Sequence, residues 1–521
     1  MLIVAFKPGH DGAVAAIGGR RLLYSLESEK DSRPRYSPIL PTTILDLAER
    51  LDAVPDVVAL GGWSDLASSR IAYTGAGYEG IQDPIVSTRR FFGKDVKFFS
   101  STHERSHIYM ALGMAPKDDD SPLRTVLVWE GDVGAFYVVD ASNRIVRKIP
   151  VMTGPGARYS FLFGLADPTF PTTGGKPRLN DAGKLMALAA FGNAADANPD
   201  ITHVVERILK QDSMYPAPKA EYRDSVLYNA GVESPECKTA AALLTERLFE
   251  TFAEVAREEL PAGTPLYISG GCGLNCDWNS MWAQLGHFSS VFVAPCTNDS
   301  GSALGTAIDA LATFTGDPHI EWNVYSGLDF VTDTQPDPSR WSSRPLDCDA
   351  LSSALSGGRV VAWVQGRWEI GPRALCNRSL LAEPFSAATK DRLNEIKKRE
   401  DYRPIAPVCR VEDLGQVFHE DFEDPYMLYF RRVRESSGVH AVTHVDGSAR
   451  VQTVRDSGNP QMHRLLTSFA AQRGLGVLCN TSLNFNGEGF INRMSDLVLY
   501  CESRGIQDMV VGDTWYQRTD S

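Results

Sequence analysis

The chain of 521 residues has no apolar run long enough to cross a bilayer, no Cys-x-x-Cys pair and no excess of positive charge. Each absence excludes a class of function. A spanning helix needs about 20 consecutive apolar residues, so no membrane association is expected. The opening MLIVAFKPGHDG lacks the basic region and small-residue cleavage site of a secretory signal, which makes a cytoplasmic location the expectation. Nine cysteines, odd in number and scattered, indicate neither a disulfide framework nor a cysteine-rich zinc site. With 52 Lys and Arg against 65 Asp and Glu, the formal net charge is -13. No nucleic-acid partner is expected, because counterion release needs a basic surface. What the chain does have is 43% hydrophobic residues, over a length that calls for two or three globular domains rather than one core. Oligomeric state is not legible.

Against this acidic background the cations are concentrated. The run VQGRWEIGPRALCNRS from Val364 and its continuation KKREDYRPIAP from Lys397 pack Arg367, Arg373, Arg378, Lys397, Lys398, Arg399 and Arg403 around glycines and prolines. Arg offers a planar fork for oxyanions and Lys a compact point charge. Interleaved Trp363, Trp368, Ile370, Leu375 and Leu380 distinguish the run from a solvated basic loop, so it reads as a site for a phosphorylated or carboxylated small molecule.

The N-terminal part repeats in pattern more than in letters. LIVAF, AVAAI and LLYSLE, separated by Gly-rich turns, read as a strand meander, and TVLVW, AFYVV and RIVRKI read the same way. Helical periodicity follows at Ala240 to Leu260, and then a strand, PLYISGG, closing on the Gly-rich turn GGCGLNCDWN. A Gly-rich turn opening a helix suits close approach to phosphate or sugar. The Pro-, Asp- and Ser-rich stretch from Thr315 to Gly358 reads as an interdomain connection, with domains expected over 1–345 and 346–521.

His103 and His107 stand four apart in a helix-compatible segment and so share a face. Alone the spacing is weak. Acidic residues at Glu130, Asp132 and Asp299 complete a two-His-plus-carboxylate set, which suits Fe2+, Mn2+ or Zn2+.

Four motifs occur in order: GRWEIGPRALCNRS, KKREDYRPIAP, HVDGSARVQ from His444 and NTSLNFNGE from Asn480. Together they resemble the nodulation-type and antibiotic O-carbamoyltransferases. One departure is Cys376, where that family usually has Gly. The resemblance implies an α/β protein with a duplicated actin-like (ASKHA, Kae1-like) N-terminal domain for carbamoyl transfer and an α+β YrdC-like C-terminal domain that forms carbamoyl-adenylate. It implies ATP and carbamoyl phosphate as substrates, Mg2+ with the ATP, and a second metal on His103, His107, an acid taken as Glu130 with Asp132 left open, and Asp299. GHDGAVAAI matches the family's early turn, making His10 the candidate general base beside Asp11, with a turn-stabilising role as its rival. GKLMALAAFG puts Lys184, and GGCGLN puts Gly270, Gly271 and Asn275, on the nucleotide. Arg367, Arg373, Lys397, Arg399, Arg403 and Arg450 are expected on phosphate oxygens, Arg373 and Lys397 also acting in catalysis. Ser482 and Asn484 are expected to fix the adenylate. His444 and Asp446 read equally as a proton relay or a capped turn. The acceptor is a hydroxylated small molecule. The start of the chain looks nearest the branch acting on the hydroxymethyl group of cephem antibiotics, while other antibiotic or sugar hydroxyls, and threonylcarbamoyl-tRNA-type chemistry, stay open.

Overall fold

The computed structural model describes residues 1–65, 72–117, 121–173, 176–211 and 216–519. Its N-terminal domain repeats one topology twice. In the first lobe Leu2–Lys7, Ala13–Gly18 and Arg21–Glu27 form an antiparallel meander, and Val57–Gly61 then Lys94–Ser101 add in parallel beside Leu2–Lys7. In the second, Leu123–Trp129, Val133–Asp140 and Ile145–Thr153 form the meander, and Leu266–Ser269 then Val291–Val293 add in parallel beside Leu123–Trp129. These five strands follow the same order, 3-2-1-4-5, in both sheets, and Ile85–Phe91 adds a sixth, antiparallel to Lys94–Ser101, at the edge of the first. Each parallel step needs a crossover; helices fill both in the second lobe and the first one in the first lobe, whereas the step from Val57–Gly61 to Lys94–Ser101 carries strands, Ile85–Phe91 among them, and no helix among the described residues. The two meanders expected from alternating apolar runs are thus related by duplication rather than being unrelated hairpins.

Between the lobes, helix His103–Met114 packs on helix Ser302–Thr315. The first faces strands of the second lobe and the second lies on strands of the first, so their shared seam is buried from both sides. Arg105 locks the pair by a bidentate clamp on Asp309, at 2.9 and 2.7 Å. The helix expected at Ala240 to Leu260 is observed as Pro235–Glu259, capped by Ser234. It covers the second lobe with Leu244, Leu248, Phe252 and Ala256 turned inward.

The C-terminal domain is built on an eight-stranded mixed sheet. Trp341–Pro345 pairs with Thr514–Arg518 at its edge, so this strand, just ahead of the expected boundary at residue 346, is part of the same sheet. The connection before it is tied to both sides: Leu22 N donates to Glu321 O in the first lobe, and Val331 N to Asn492 O in the C-terminal domain. No helix among the described residues is long and apolar enough to cross a membrane.

Candidate active sites

The seam between the two central helices ends in a cluster of donors. Thr102 caps helix His103–Met114 by accepting from Arg105 N, which sets His103 and His107 in its first two turns, one above the other. Glu130 lies in the turn after strand Leu123–Trp129, and Asp299 opens the turn into helix Ser302–Thr315. The four converge. His107 Nε2 stands 3.1 Å from Glu130 Oε2 and 3.4 Å from Asp299 Oδ1, and His103 Nε2 stands 3.4 and 3.5 Å from the same oxygens. The two Nε2 atoms are 3.2 Å apart.

These separations bear on a metal. A tetrahedron of N and O donors about 2.0–2.1 Å from a central ion has edges of about 3.3–3.4 Å, and the spacings cluster around that figure. His107 Nδ1 hydrogen-bonds Ser269 Oγ at 3.0 Å, which turns Nε2 to the centre, as an outer partner of a ligating imidazole does. The residues present fit a divalent ion. Burial alone would lower the His107 imidazole, yet the Glu130 and Asp299 carboxylates raise it to about 9. Burial would raise Glu130, yet His107 and His103 hold it at about 2. Asp132, by contrast, is pushed up to about 6 by burial and by Glu130 and Asp299. It is outside the four-donor set, and Glu130 is inside it.

Next to this centre His10 Nδ1 lies 2.8 Å from Asp11 Oδ2 and 3.7 Å from Asp299 Oδ2. A carboxylate only accepts, so Nδ1 donates to Asp11, which directs Nε2 away from it. His10 is partly exposed, edge-on to Trp63 at 5.0 Å. Lys7, Trp63 and Tyr78 complete the surroundings and were not singled out from the sequence. Lys7 is fully buried, with its ammonium 3.2 Å from Asp299 Oδ2. Tyr78 stacks on His103 at 4.5 Å and donates to Glu130 Oε1 at 3.3 Å. Only Lys7 left a trace, three residues before His10 in KPGHDG.

The C-terminal run forms a second site. Lys397, at the end of helix Ala387–Lys397, donates to Ser482 O and Oγ and to Asn484 O and Oδ1. Ser482 and Asn484 therefore hold the lysine. Burial and the charges of Arg399, Arg403, Arg35 and Arg504 drive its ammonium well below the usual lysine range. Arg399 is lowered to about 9 by burial, Arg403 and Arg450. Arg450 makes no hydrogen bond or ion pair among the described residues, and its Nε is buried and unpartnered. Arg35 and Arg504 carried no sequence signal, one lying in the first lobe and the other in the last helix turn.

Two expected phosphate ligands are placed differently. Arg367 donates to Gly327 O at 2.6 Å, Leu23 O at 2.7 Å and Ser326 O at 2.9 Å, and lies over the Tyr24 ring. It staples the domains and stands apart from the Lys397 group. Arg373 donates to the carbonyls of Met427 and Leu274 and to Cys276 Sγ at 3.4 Å, bridging the C-terminal domain to the Gly-rich turn of the second lobe. Main-chain carbonyls also accept from guanidinium forks, and a basic motif reads the same in either use.

The loop carrying these arginines enters between the lobes. Gly371 N donates to Glu27 Oε1 at 2.6 Å and Lys30 Nζ to Gly371 O at 2.7 Å, while a Cβ on Gly371 would stand 2.3 Å from Pro295 O. Only glycine fits. Cys376 lies at φ 77°, in the left-handed region that favours glycine. Its Sγ donates to Gln452 Oε1 at 2.9 Å.

Lys184 lies 3.4 Å from Glu400 of the C-terminal domain and 3.5 Å from Asp181. Gly270, at φ 97°, passes so close to Trp129 that a Cβ would meet its carbonyl at 2.4 Å, whereas Gly271 has open space. Asn275 Oδ1 caps helix Cys276–Gln284, leaving a buried, unpartnered Nδ2. Asp277 beside it is raised to about 7 by burial and by Asp446. Asp446 itself caps Ser448, and His444 Nε2 donates to Ala187 O at 3.1 Å.

The Carbamoyltransferase N-terminus family matches residues 70–308 and the Carbamoyltransferase C-terminus family residues 352–518. The chain belongs to the carbamoyltransferase family. This carbamoyltransferase is 88% identical, over all of both chains, to the 3'-hydroxymethylcephem-O-carbamoyltransferase of Amycolatopsis lactamdurans. It is 83% identical to that of Streptomyces clavuligerus over 99% of each. Nodulation protein U of Sinorhizobium fredii is 32% identical, with 94% of this chain and 95% of that one covered. Among solved structures, the activator of 2-hydroxyisocaproyl-CoA dehydratase from Clostridium difficile matches 60% of this chain and 97% of its own, at 12% identity and a TM-score of 0.35. That score is too low to carry an argument, and the fold rests on the strand order.

Proposed function

We propose that this carbamoyltransferase works by a two-site relay ending on the hydroxymethyl group of a cephem. Water hydrolyses carbamoyl phosphate at the Lys397 group, in a YrdC-like C-terminal domain, giving carbamate and inorganic phosphate. The carbamate attacks the α-phosphorus of ATP, giving carbamoyl-AMP and pyrophosphate, with Mg2+ accompanying the phosphates. The acceptor alcohol then attacks the carbamoyl carbon beside His10, and AMP leaves. The observation that carries this reading is the joining, in one chain, of a cation group poor in counter-ions and a buried two-His, two-carboxylate centre, through the loop at Gly371.

Arg399, Arg403 and Arg450 neutralise phosphate charge that grows as the leaving group departs. Lys397, fixed by Ser482 and Asn484, sets the position of the first reaction. His10 Nε2 takes the hydroxyl proton while Asp11 holds the tautomer. His103, His107, Glu130 and Asp299 would hold Fe2+, Mn2+ or Zn2+, which supplies a Lewis acid near the adenylate. Lys184, Gly270 and Asn275 line the turn offered to the nucleotide. Enclosure between domains keeps water from a reactive intermediate.

The cephem acceptor is supported by the 88% identity to a relative named for that reaction. Incubation with ATP, carbamoyl phosphate and 3'-hydroxymethylcephem tests the reading. The expected result is a carbamoylated cephem by mass spectrometry, with AMP and pyrophosphate formed in equal amounts. Carbamoylation at full rate without ATP would exclude the adenylate.

A further inference from the structure

The segment of the first lobe between Glu27 and Ser37 leaves its own domain and joins the C-terminal one. Ser32 N donates to Phe490 O at 2.9 Å, Gly489 N to Arg33 O at 2.8 Å and Arg35 N to Gly487 O at 2.9 Å, and Pro34 bridges Glu488. Asn484, whose amide oxygen holds Lys397, donates through Nδ2 to Glu488 O at 2.9 Å. A short chain of contacts therefore runs from the Lys397 ammonium to the backbone that positions Arg35.

The C-terminal side of this contact is rich in cations, whereas Arg35 itself, which burial would lower, faces Glu29, and Asp11 and Glu27 also act to raise it. Lys397, Arg399, Arg403, Arg450 and Arg504 come from the C-terminal domain and Arg35 from the first lobe, and Arg35 is near enough to act on both Lys397 and Arg403. Among the described residues, the carboxylates in ion pairs with these cations are Glu29, 3.4 Å from Arg35, and Glu400, which is shared between Lys184 at 3.4 Å and Arg403 at 3.9 Å. The Nε atoms of Arg450 and Arg504 are buried without a hydrogen-bond partner, and Arg35 Nε, though it makes no hydrogen bond, forms that ion pair with Glu29 Oε2. Like charges gathered at low dielectric repel unless an anion joins them.

We propose that Arg35 is a phosphate-binding residue of the C-terminal site, supplied by the transfer domain, so that the adenylate-forming site is complete only when both domains are docked. The proposal rests on the reading of the Lys397 group as the phosphate site. A guanidinium on phosphate oxygens is shared chemistry for the triphosphate of ATP and for carbamoyl phosphate, and separate titrations distinguish them.

Calorimetric titration of the full chain with ATP alone, and with carbamoyl phosphate alone, provides the test. Losing one hydrogen-bonded charge contact corresponds to roughly 10- to 100-fold in affinity. Arg35→Gln is expected to weaken at least one of the two ligands by about that factor with an unchanged melting temperature, and Arg35→Lys to recover part of it. Wild-type affinity of Arg35→Gln for both ligands, with binding lost in Arg399→Ala, overturns the inference and leaves the proposed function standing. Unchanged binding in both variants overturns both. Weakened binding with a lowered melting temperature and no recovery in Arg35→Lys makes Arg35 a structural strap and also overturns the inference.

Discussion

Lys7 holds its ammonium 3.2 Å from the Asp299 carboxylate with no exposure to solvent. Its other contacts are the carbonyl of His10 and the face of Trp63, 4.1 Å from the ring centroid. One cation thus fixes a metal-ligand candidate and the turn that carries the candidate base.

Removing that charge leaves Asp299 with His103 and His107 as its remaining cationic partners, and breaking a buried ion pair typically costs about 3–5 kcal/mol, less where other partners remain. Lys7→Met is therefore expected to melt below wild type after chelation, with the gap narrowing when divalent metal is added, because the metal supplies positive charge to Asp299. Thermal denaturation with and without metal measures this. A gap indifferent to metal would show that Lys7 acts independently of the four-donor centre.

Metal binding is expected to release protons at pH 7.5. The His107 imidazole is raised to about 9 in the metal-free protein, and a ligating histidine must be neutral. The sign follows: below about pH 9 the ion competes with a proton, so apparent affinity falls as pH falls. The same protonated imidazole stabilises the metal-free fold, and that contribution is present below its ordinary range near 6.5 and lost as pH rises through about 9. Titration calorimetry in buffers of different ionisation enthalpy reads the release, and its absence at pH 7.5 would contradict the assignment.

Both meanders, the helix pairing His103 with His107 and the strand entering GGCGLN were legible because apolar period and turn residues are local. The four-donor centre was legible only as a set of separate hints, since Glu130 and Asp299 are brought to the histidines by two lobes meeting at a helix seam. Arg367 and Arg378 illustrate the opposite limit. Their motif is basic, but Arg378 is fully buried and bonds Gln365 O, Asn377 O and Asn492 Oδ1, so the same letters that read as a phosphate site also hold the loop's own shape. Arg35 was invisible because its role depends on a strap crossing between domains.

Gly371→Ala places a methyl group against Pro295 O at a backbone angle of φ 85°. Strain of that kind costs about 1–3 kcal/mol before the clash is counted, and relief requires the loop to withdraw from between the lobes. The variant is expected to have a lower denaturation midpoint and to lose transfer more than pyrophosphate release. A midpoint equal to wild type would contradict the tight docking.

His10→Asn removes the basic Nε2 while keeping a side chain able to hydrogen-bond Asp11. A positioned base contributes about 10²- to 10⁴-fold, so transfer to the alcohol is expected to slow by that order, with metal content and nucleotide binding near normal. An unchanged transfer rate in the folded variant would leave His10 as a turn residue.

The division of labour between the two sites is tested most directly by His107→Ala, assayed in parallel for carbamoyl-phosphate-dependent pyrophosphate release and for carbamoylation of 3'-hydroxymethylcephem. The relay predicts that the folded variant continues to release pyrophosphate from ATP while carbamoylated product falls away. Equal loss of both activities would contradict it.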